Sequence, residues 1–310
     1  MTMFTGPAVW FDQYGDVSVL RVSDATVRPA GVGEVTVAVH AAGINPGEAA
    51  IRRGDLHALW PASFPSGQGS DLAGTVVAAG AGVEQFRIGD QVMGWTWDRA
   101  SHASFVTVPI SQLIPKPQEL SWEVAGSLYV VACAAHAAVT AIAPTAGETV
   151  VVSAAAGGVG SIVVQYLRWL GIKVVGIASE SNTAWLTGHG VRAVSYGPGM
   201  IDRVRAEAPE GVDAFIDLHG PEYLDLALQL GVDIDRIETI ISFQRAQEIG
   251  AKSMGSESSS TPTVLRMMAD LVAKGVLELP ISAQYPLREV QAAFRQLESR
   301  HTHGKIVLRP

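Results

Sequence analysis

The sequence predicts an α/β protein in which a doubly wound parallel sheet stands beside a β-rich, barrel-like module. Three observations predict it. Strand-like and helix-like segments alternate from about residue 148 to 250. The first third holds short strands bounded by Gly and Pro. A glycine-rich turn, "SAAAGGVGS" (153–161), joins one of the alternating strands to a helix.

The first third is read from its period of two. "EVTVAVHAAG" (34–43) places Val35, Val37 and Val39 on one face, as a half-buried strand does. "AGTVVAAG" (73–80), "ASFVTVP" (103–109) and "FRIGDQVMGW" (86–95), the last opened by a Gly-Asp turn, give further strands. Strands at this spacing suggest an antiparallel, barrel-like module. Near residue 121 the texture changes. "SWEVAGSLYVVACAAHAAVTAI" is Ala-rich and reads as one helix, with Ser121 as N-cap and Pro144 beyond its end. Strands are then expected at 148–154, 173–178, 192–196, 212–217 and 236–241. Helices are expected at about 158–170, 181–188, 199–207, 221–230 and 244–250. Such alternation means βαβ units and a parallel sheet covered on both faces. "KSMGSESSSTPT" (252–263) reads as a polar surface loop, and "VLRMMADLVAKG" (264–275) as an amphipathic helix ended by Gly275. A strand, a turn, another helix and the final strand "GKIVLRP" follow and are expected to rejoin the N-terminal module. The domains are thus expected at 1–122 with 264–310, and at 123–263.

Composition limits the partners. The chain has 310 residues, 48% hydrophobic and 17% charged, which suits a globular core without staples. A formal net charge of −8 supplies no positive field for nucleic acid or an anionic membrane. The single cysteine, Cys133, rules out an internal disulfide and a cysteine-rich metal site, and its apolar run suggests a buried hydrophobe. No basic flank precedes an apolar N-terminal core, and no run of about 18 apolar residues is free of polar interruption. The expectation is a cytoplasmic protein acting on a small molecule.

Glycine in the 153–161 turn costs chain entropy, so something gains from the missing side chains. The turn leads from a strand into a helix within a βαβ unit, the setting in which a glycine fingerprint is informative. A helix N-terminus offers unpaired N–H groups and a positive dipole end, which suit a pyrophosphate. The loop Ala156-Gly157-Gly158-Val159-Gly160 is therefore the expected phosphate cradle. Gly157 would permit close approach of the phosphates and Gly160 close helix–strand packing, and Ala155 stands where the first fingerprint glycine is usual. NAD sites place an acid at the end of the second strand. That strand ends "IASESN", so Ala178 and Ser179 stand there, with Glu180 one step beyond. Ser179 and Asn182 could bond a 2′-phosphate, which points to NADP (NADPH) as the cofactor. No Lys or Arg occupies 178–184, so a cation would come from elsewhere, with Arg300 or Lys305 as candidates.

Together the segments resemble the medium-chain dehydrogenase/reductase superfamily, most of all its zinc-free, zeta-crystallin-like quinone oxidoreductase branch. The resemblance covers nearly the whole chain and rests on "AAGINPGEAAIRRG" (41–54), "GSDLAGTVVAAGAGVEQFRIGDQVMGW" (69–95), "AAAGGVGS" (154–161), "GVDAFIDLHG" (211–220) and "HGKIVLRP" (303–310). It implies a GroES-like catalytic domain split in sequence around a Rossmann domain, an active site in the cleft between them, and a homodimer or homotetramer. Zinc-dependent relatives use a Cys near the first motif and a Gly-His-Glu in the second. Here these read "AGINPGE" and "GQGSDLAG", so no resident metal is expected; His40, His57 and His102 are scattered over the N-terminal module. The implied chemistry is hydride transfer from NADPH to a quinone or other conjugated carbonyl, whose own conjugation spreads the developing charge.

By the resemblance, Asn45 lies near the nicotinamide ribose and substrate, Tyr196 beside the 2′-phosphate, Leu218, His219 and Gly220 against the cofactor, and Ser242 and Phe243 at the nicotinamide edge. The family's tyrosines after the Asn-Pro motif are absent; Ala50 and the Leu56–His57 region stand in their place. The threonine of its "TA" pair is Ala134 here, and "GVDIDRIETI" replaces its glycine-rich lead into the fifth strand. His57 is a candidate proton relay, its ordinary pKa being near neutrality. Trp60, Trp95 and Trp97 are candidates for an aromatic wall against a flat substrate, with Trp95 and Trp97 expected on one strand face. Each of these residues also has an ordinary structural reading, as a turn, core or loop residue. A pathway-specific enoyl reductase and a non-catalytic NADPH-binding protein are the competing readings.

Overall fold

The structure, a computed structural model, describes residues 3–310. The chain divides into two compact units. One comprises Met1–Val130, Thr261–Ala273 and Ile281–Pro310; the other comprises Val131–Ser260 and Lys274–Pro280.

The first unit is β-rich. Its N-terminal part runs β1 (Phe4–Phe11), β2 (Arg21–Val27), β3 (Glu34–Gly43), α1 (Pro46–Arg53), β4 (Ser66–Gly67), β5 (Asp71–Ala79), β6 (Gln91–Trp95), β7 (Phe105–Pro109), β8 (Leu113–Pro115), α2 (Trp122–Ala125) and the start of α3 (Leu128–Ile142). The period of two in 34–43 does what it predicts: Val35, Val37 and Val39 are buried, and they pack with Leu72, Val76, Val92, Val106 and Val108. The pair β1–β2 and the helix α1 were not expected. Gly6 and Pro7 obscure the strand pattern of β1. The signal for α1 was present in Asn45-Pro46-Gly47-Glu48: Asn45 is the N-cap in extended backbone, Pro46 opens the helix, and the Glu48 carboxylate accepts from the Asn45 N–H at 3.0 Å.

The expected single helix over 121–142 is broken at Gly126–Ser127. Gly126 lies against β3, where a Cβ would come 2.3 Å from the Ala41 carbonyl oxygen, and its own carbonyl accepts from the Gly43 N–H. The Ser127 hydroxyl donates to the Glu123 carbonyl, closing the short helix.

The second unit alternates as expected: β9 (Thr149–Val152), α4 (Gly158–Trp169), β10 (Lys173–Ala178), α5 (Thr183–Gly188), β11 (Arg192–Ser195), α6 (Met200–Glu207), β12 (Ala214–Asp217), α7 (Pro221–Gln229), β13 (Ile237–Thr239) and α8 (Phe243–Ile249). The sheet is parallel in the order β11-β10-β9-β12-β13, and a parallel bridge from Glu238 to Lys252 extends it by one step. The strand order reverses beside β9, the switch point at which doubly wound sheets bind nucleotides. Val151, Val175, Phe215, Leu224 and Ile237 lie at the centre of its core. Cys133 is fully buried on α3, as an apolar residue would be.

The C-terminal part adds α9 (Pro262–Ala273), β14 (Ile281–Pro286), α10 (Val290–Glu298) and β15 (Lys305–Arg309). β15 pairs antiparallel with β3 and parallel with β14, so these strands do rejoin the N-terminal module. Lys274–Pro280, placed by the sequence with 264–310, groups with the second unit instead. Leu277 and Leu279 are buried, and the Gln165 amide bridges both backbone groups of Glu278. No described helix is long and apolar enough to cross a membrane.

Candidate active site

In the second unit the site is built at the carboxyl ends of the parallel strands. Ala154, in left-handed backbone, turns the chain out of β9, and Gly157 caps α4. A Cβ on Gly160 would lie 2.2 Å from the Ala154 carbonyl oxygen, so this glycine is needed where helix and strand meet. Gly157 differs: a Cβ there would meet only that same oxygen, at 3.3 Å. Its φ of −73° is open to any residue, so the turn itself does not require glycine there. Gly157, Gly158 and Val159 are half-buried while Ala156 is buried, which leaves the first-turn N–H groups of α4 as the face a diphosphate would use.

The end of β10 carries no acid. The Ser179 hydroxyl accepts from Asn182 Nδ2 at 2.8 Å and shares a hydrogen bond with the Ser181 hydroxyl at 2.9 Å. β10 and β11 are in register at Ala178 and Ser195, so Ser179 and Tyr196 leave the sheet side by side, and the Tyr196 N–H donates to the Ala178 carbonyl. Tyr196 is half exposed.

Sequence reasoning missed the hub of this end of the sheet. The Asp217 carboxylate, fully buried at the end of β12, accepts from the Ser153 hydroxyl and from the His219 and Gly220 N–H groups on one oxygen. On the other it accepts from Thr239 and Ser242 hydroxyls. Ser153 in turn accepts from the Leu218 N–H. One carboxylate thus fixes the loops after β12 and β13, where Leu218, His219, Gly220, Ser242 and Phe243 stand. Ser242 is itself buried and gives its proton to Asp217. His219 pairs with Glu222 at 3.1 Å and packs edge-on to Tyr223, whose phenol burial pushes up to about 12.

In the first unit Asn45 is the centre of a buried polar network. Its Nδ2 donates to Glu48 at 3.2 Å and to Asp71 at 2.9 Å, and its Oδ1 accepts from Lys305 Nζ at 2.5 Å. Lys305 also donates to the Ile44 carbonyl and to Asp71. Asp71 accepts from the Val130 N–H, and His102 lies between Gly43 and Glu48. Lys305 is 4% exposed and its three ammonium protons are taken. This corrects the expectation that it could serve a 2′-phosphate: its charge is spent on Asp71.

His57 is exposed, and its Nδ1 shares a 2.7 Å hydrogen bond with the Tyr14 hydroxyl, which accepts from the Ala62 N–H. A tyrosine absent from the α1 segment thus stands beside this loop from a distant part of the chain. The tryptophans separate. Strand β6 ends at Trp95, so Trp97 lies beyond it and does not share a strand face with Trp95 as expected. Trp95 is buried and stacks on Tyr129 at 4.6 Å, whereas Trp97 is 51% exposed and meets Tyr129 edge-on at 6.3 Å. Trp60 is half-buried after α1.

Two family descriptions match the chain: "Alcohol dehydrogenase GroES-like domain" over residues 31–118 and "Zinc-binding dehydrogenase" over 193–308. A quinone oxidoreductase of Rattus norvegicus is 30% identical over 95% of this chain and 94% of its own. The chain belongs to the quinone oxidoreductase branch of the medium-chain dehydrogenase/reductase superfamily. Among solved structures, the quinone oxidoreductase of Coxiella burnetii is 27% identical with a TM-score of 0.85, covering 99% of this chain and 100% of that one. The Escherichia coli quinone oxidoreductase complexed with NADPH has a TM-score of 0.87 at 23% identity, over 98% and 100% of the two chains, a likeness of fold. The chain is therefore an NAD(P)-dependent oxidoreductase, which sets aside the non-catalytic reading. Zinc, which one family description implies, does not fit its residues. The segments "AGINPGE" and "GQGSDLAG" carry no thiol or imidazole, and no group of three or more His, Cys, Asp or Glu among the described residues could hold a metal.

Proposed function

We propose that this oxidoreductase is NADPH-dependent and zinc-independent, and that it reduces a quinone or another conjugated carbonyl compound. The observation that carries the cofactor half is the end of β10. Ser179, hydrogen-bonded to Ser181 and Asn182, stands at the position where an NAD enzyme has a carboxylate, and the Glu180 carboxylate lies one step beyond. The NADPH of the Escherichia coli neighbour supports the same reading.

Bound there, reduced nicotinamide supplies a hydride. The chain supplies placement. The Gly157–Gly160 turn holds the diphosphate with backbone N–H groups, and Ser179, Asn182 and Tyr196 meet the 2′-phosphate. The Asp217 hub keeps the loops bearing Leu218–Gly220 and Ser242 rigid at the nicotinamide end. Asn45 has given both amide protons to carboxylates, so it serves a ribose or substrate hydroxyl only as an acceptor, through Oδ1. The half-exposed Trp97 offers a flat apolar face suited to a conjugated ring. His57, its Nδ1 bonded to Tyr14, is the proton relay. With no Lewis acid, the acceptor's own conjugation must carry the developing negative charge.

Fluorescence titration with NADPH and NADH, followed by turnover on a panel of quinones, enals and enoyl thioesters, tests this. NADPH is expected to bind at least tenfold tighter, with turnover on quinones or enones. Equal affinity would overturn the cofactor reading, and turnover confined to enoyl thioesters would replace the substrate reading with an enoyl reductase. In the cytoplasm the protein works as a homodimer or homotetramer; light scattering that returns a monomer mass would refute that assembly.

A further inference from the structure

We infer that Tyr14 is the positioning residue of the proton relay. It fixes the neutral His57 ring as the Nε2–H tautomer and replaces, through Nδ1, the proton that Nε2 gives up. The inference rests on the proton-relay reading of His57 above. A neutral imidazole carries its proton on one nitrogen only, and the bond made by the other decides which.

Tyr14 follows β1, and its neighbour ties this turn to the end of α1. The Gly15 N–H donates to the Arg52 carbonyl at 3.0 Å, and Arg52 Nε donates to the Gly15 carbonyl at 3.3 Å. The Tyr14 ring lies against Gly54, where a Cβ would come 3.1 Å from it, and meets Phe64 edge-on at 5.0 Å. It also meets the His57 ring edge-on, at 5.5 Å. The phenol oxygen accepts from the Ala62 N–H at 2.9 Å, and its 2.7 Å bond to His57 is made at Nδ1. In such a pair the phenol is the better donor and the imidazole nitrogen the better acceptor. Among the described residues Nδ1 is also the one acceptor bonded to the phenol. The Tyr14 O–H therefore donates to Nδ1, and the ring proton is on Nε2, across the exposed ring from the phenol.

Hydride addition leaves a conjugated acceptor with an oxyanion. Nε2 gives that oxygen its proton while Nδ1 takes the phenol proton, so the ring stays neutral and the negative charge passes to the Tyr14 oxygen. The Ala62 N–H already points at that oxygen. Arg99 lies close by: burial lowers its pKa, and attraction to the Tyr14 phenolate opposes this. When product leaves, water returns a proton to Nε2, and Nδ1 gives its own back to the phenolate. The sum is one proton from water for each hydride transferred.

Long-range proton–nitrogen NMR spectra of the nitrogen-labelled full chain, taken at alkaline pH, read the tautomer. The His57 signals are assigned by their loss in His57→Gln. The wild type is expected to show Nε2–H, and Tyr14→Phe, which keeps the ring and loses the hydroxyl, the mixture of a free imidazole. Turnover of NADPH with a conjugated acceptor completes the test. Tyr14→Phe should lose about tenfold or more in kcat, with KM changed less than about twofold, a part of what acid–base catalysis supplies. His57→Gln should lose at least as much. Adding Tyr14→Phe to it should cost less than about twofold more, because Tyr14 acts through His57. A wild-type Nδ1–H tautomer would overturn the inference, and that measurement stands even if Tyr14→Phe fails to fold. So would losses that multiply in the double variant, or a wild-type kcat in Tyr14→Phe beside a slow His57→Gln. A wild-type kcat in His57→Gln would instead overturn the relay reading itself.

Discussion

At the scale of single residues, Glu238 makes the stability of the second unit depend on pH. It lies on β13, fully buried, with one carboxyl oxygen accepting from the Met254 N–H at 2.5 Å and the other without a partner. The nearby Lys252 ammonium donates to the Ala141 carbonyl instead. Burial pushes the carboxyl up to about 8, from an ordinary 4.5, against the smaller opposing pull of the Met254 N–H and Lys252. Between those two pH values the folded chain keeps a proton that the unfolded chain has released, so stability falls as pH rises through this window. The loss is on the order of a few kcal/mol by pH 8. Glu238→Gln keeps the shape and removes the titration. Urea midpoints of variant and wild type should agree near pH 4.5 and separate in favour of the variant by pH 8. Curves that stay parallel from 4.5 to 8 would show that Glu238 is charged in the folded chain.

At the scale of elements, the turn from β9 to α4 divides its glycines between two jobs. Gly157→Val places a side chain where only one oxygen is near, in permitted backbone, so the variant should melt like wild type and lose NADPH binding. Gly160→Ala forces α4 away from the Ala154 carbonyl, which overpacking data put at about 1–3 kcal/mol, so its loss should appear first in the melting temperature. Retained NADPH affinity in Gly157→Val would mean that this turn is not the phosphate cradle. The turn was legible because its meaning is local: strand period, glycines, helix period. The same holds for the five strands and five helices around it. What was not legible depended on distant residues. The break in the 121–142 helix comes from a β3 carbonyl that nothing in "VAGSL" announces. Asp217 stood in view within "FIDLHG", but its role needs hydroxyls from β9 and β13 beside it. Tyr14 reaches His57 across 43 residues. Only α1 was announced locally and missed, by its Asn-Pro-x-Glu start.

At the scale of the whole molecule, the first unit is closed by its last strand, and Lys305 is the point of closure. Its ammonium lies 260 residues along the chain from Asn45 and 234 from Asp71, and it joins both. The cluster holds two carboxylates, Asp71 and Glu48, almost wholly out of water. Removing the lysine leaves them facing each other across Asn45 without their cation, and breaking a buried pair from one side costs about 3–5 kcal/mol. Lys305→Met should therefore unfold at markedly lower denaturant. Asp71→Asn together with Lys305→Met should recover part of the loss, because the uncompensated carboxylate goes with its partner. If Lys305 served the cofactor phosphate instead, the single variant would shift the NADPH-to-NADH affinity ratio. With its three protons held inside the first unit, that ratio should stay at the wild-type value in whatever fraction of Lys305→Met remains folded. A shifted ratio with unchanged stability would return the lysine to the phosphate and leave Asp71 to be neutralised by other means.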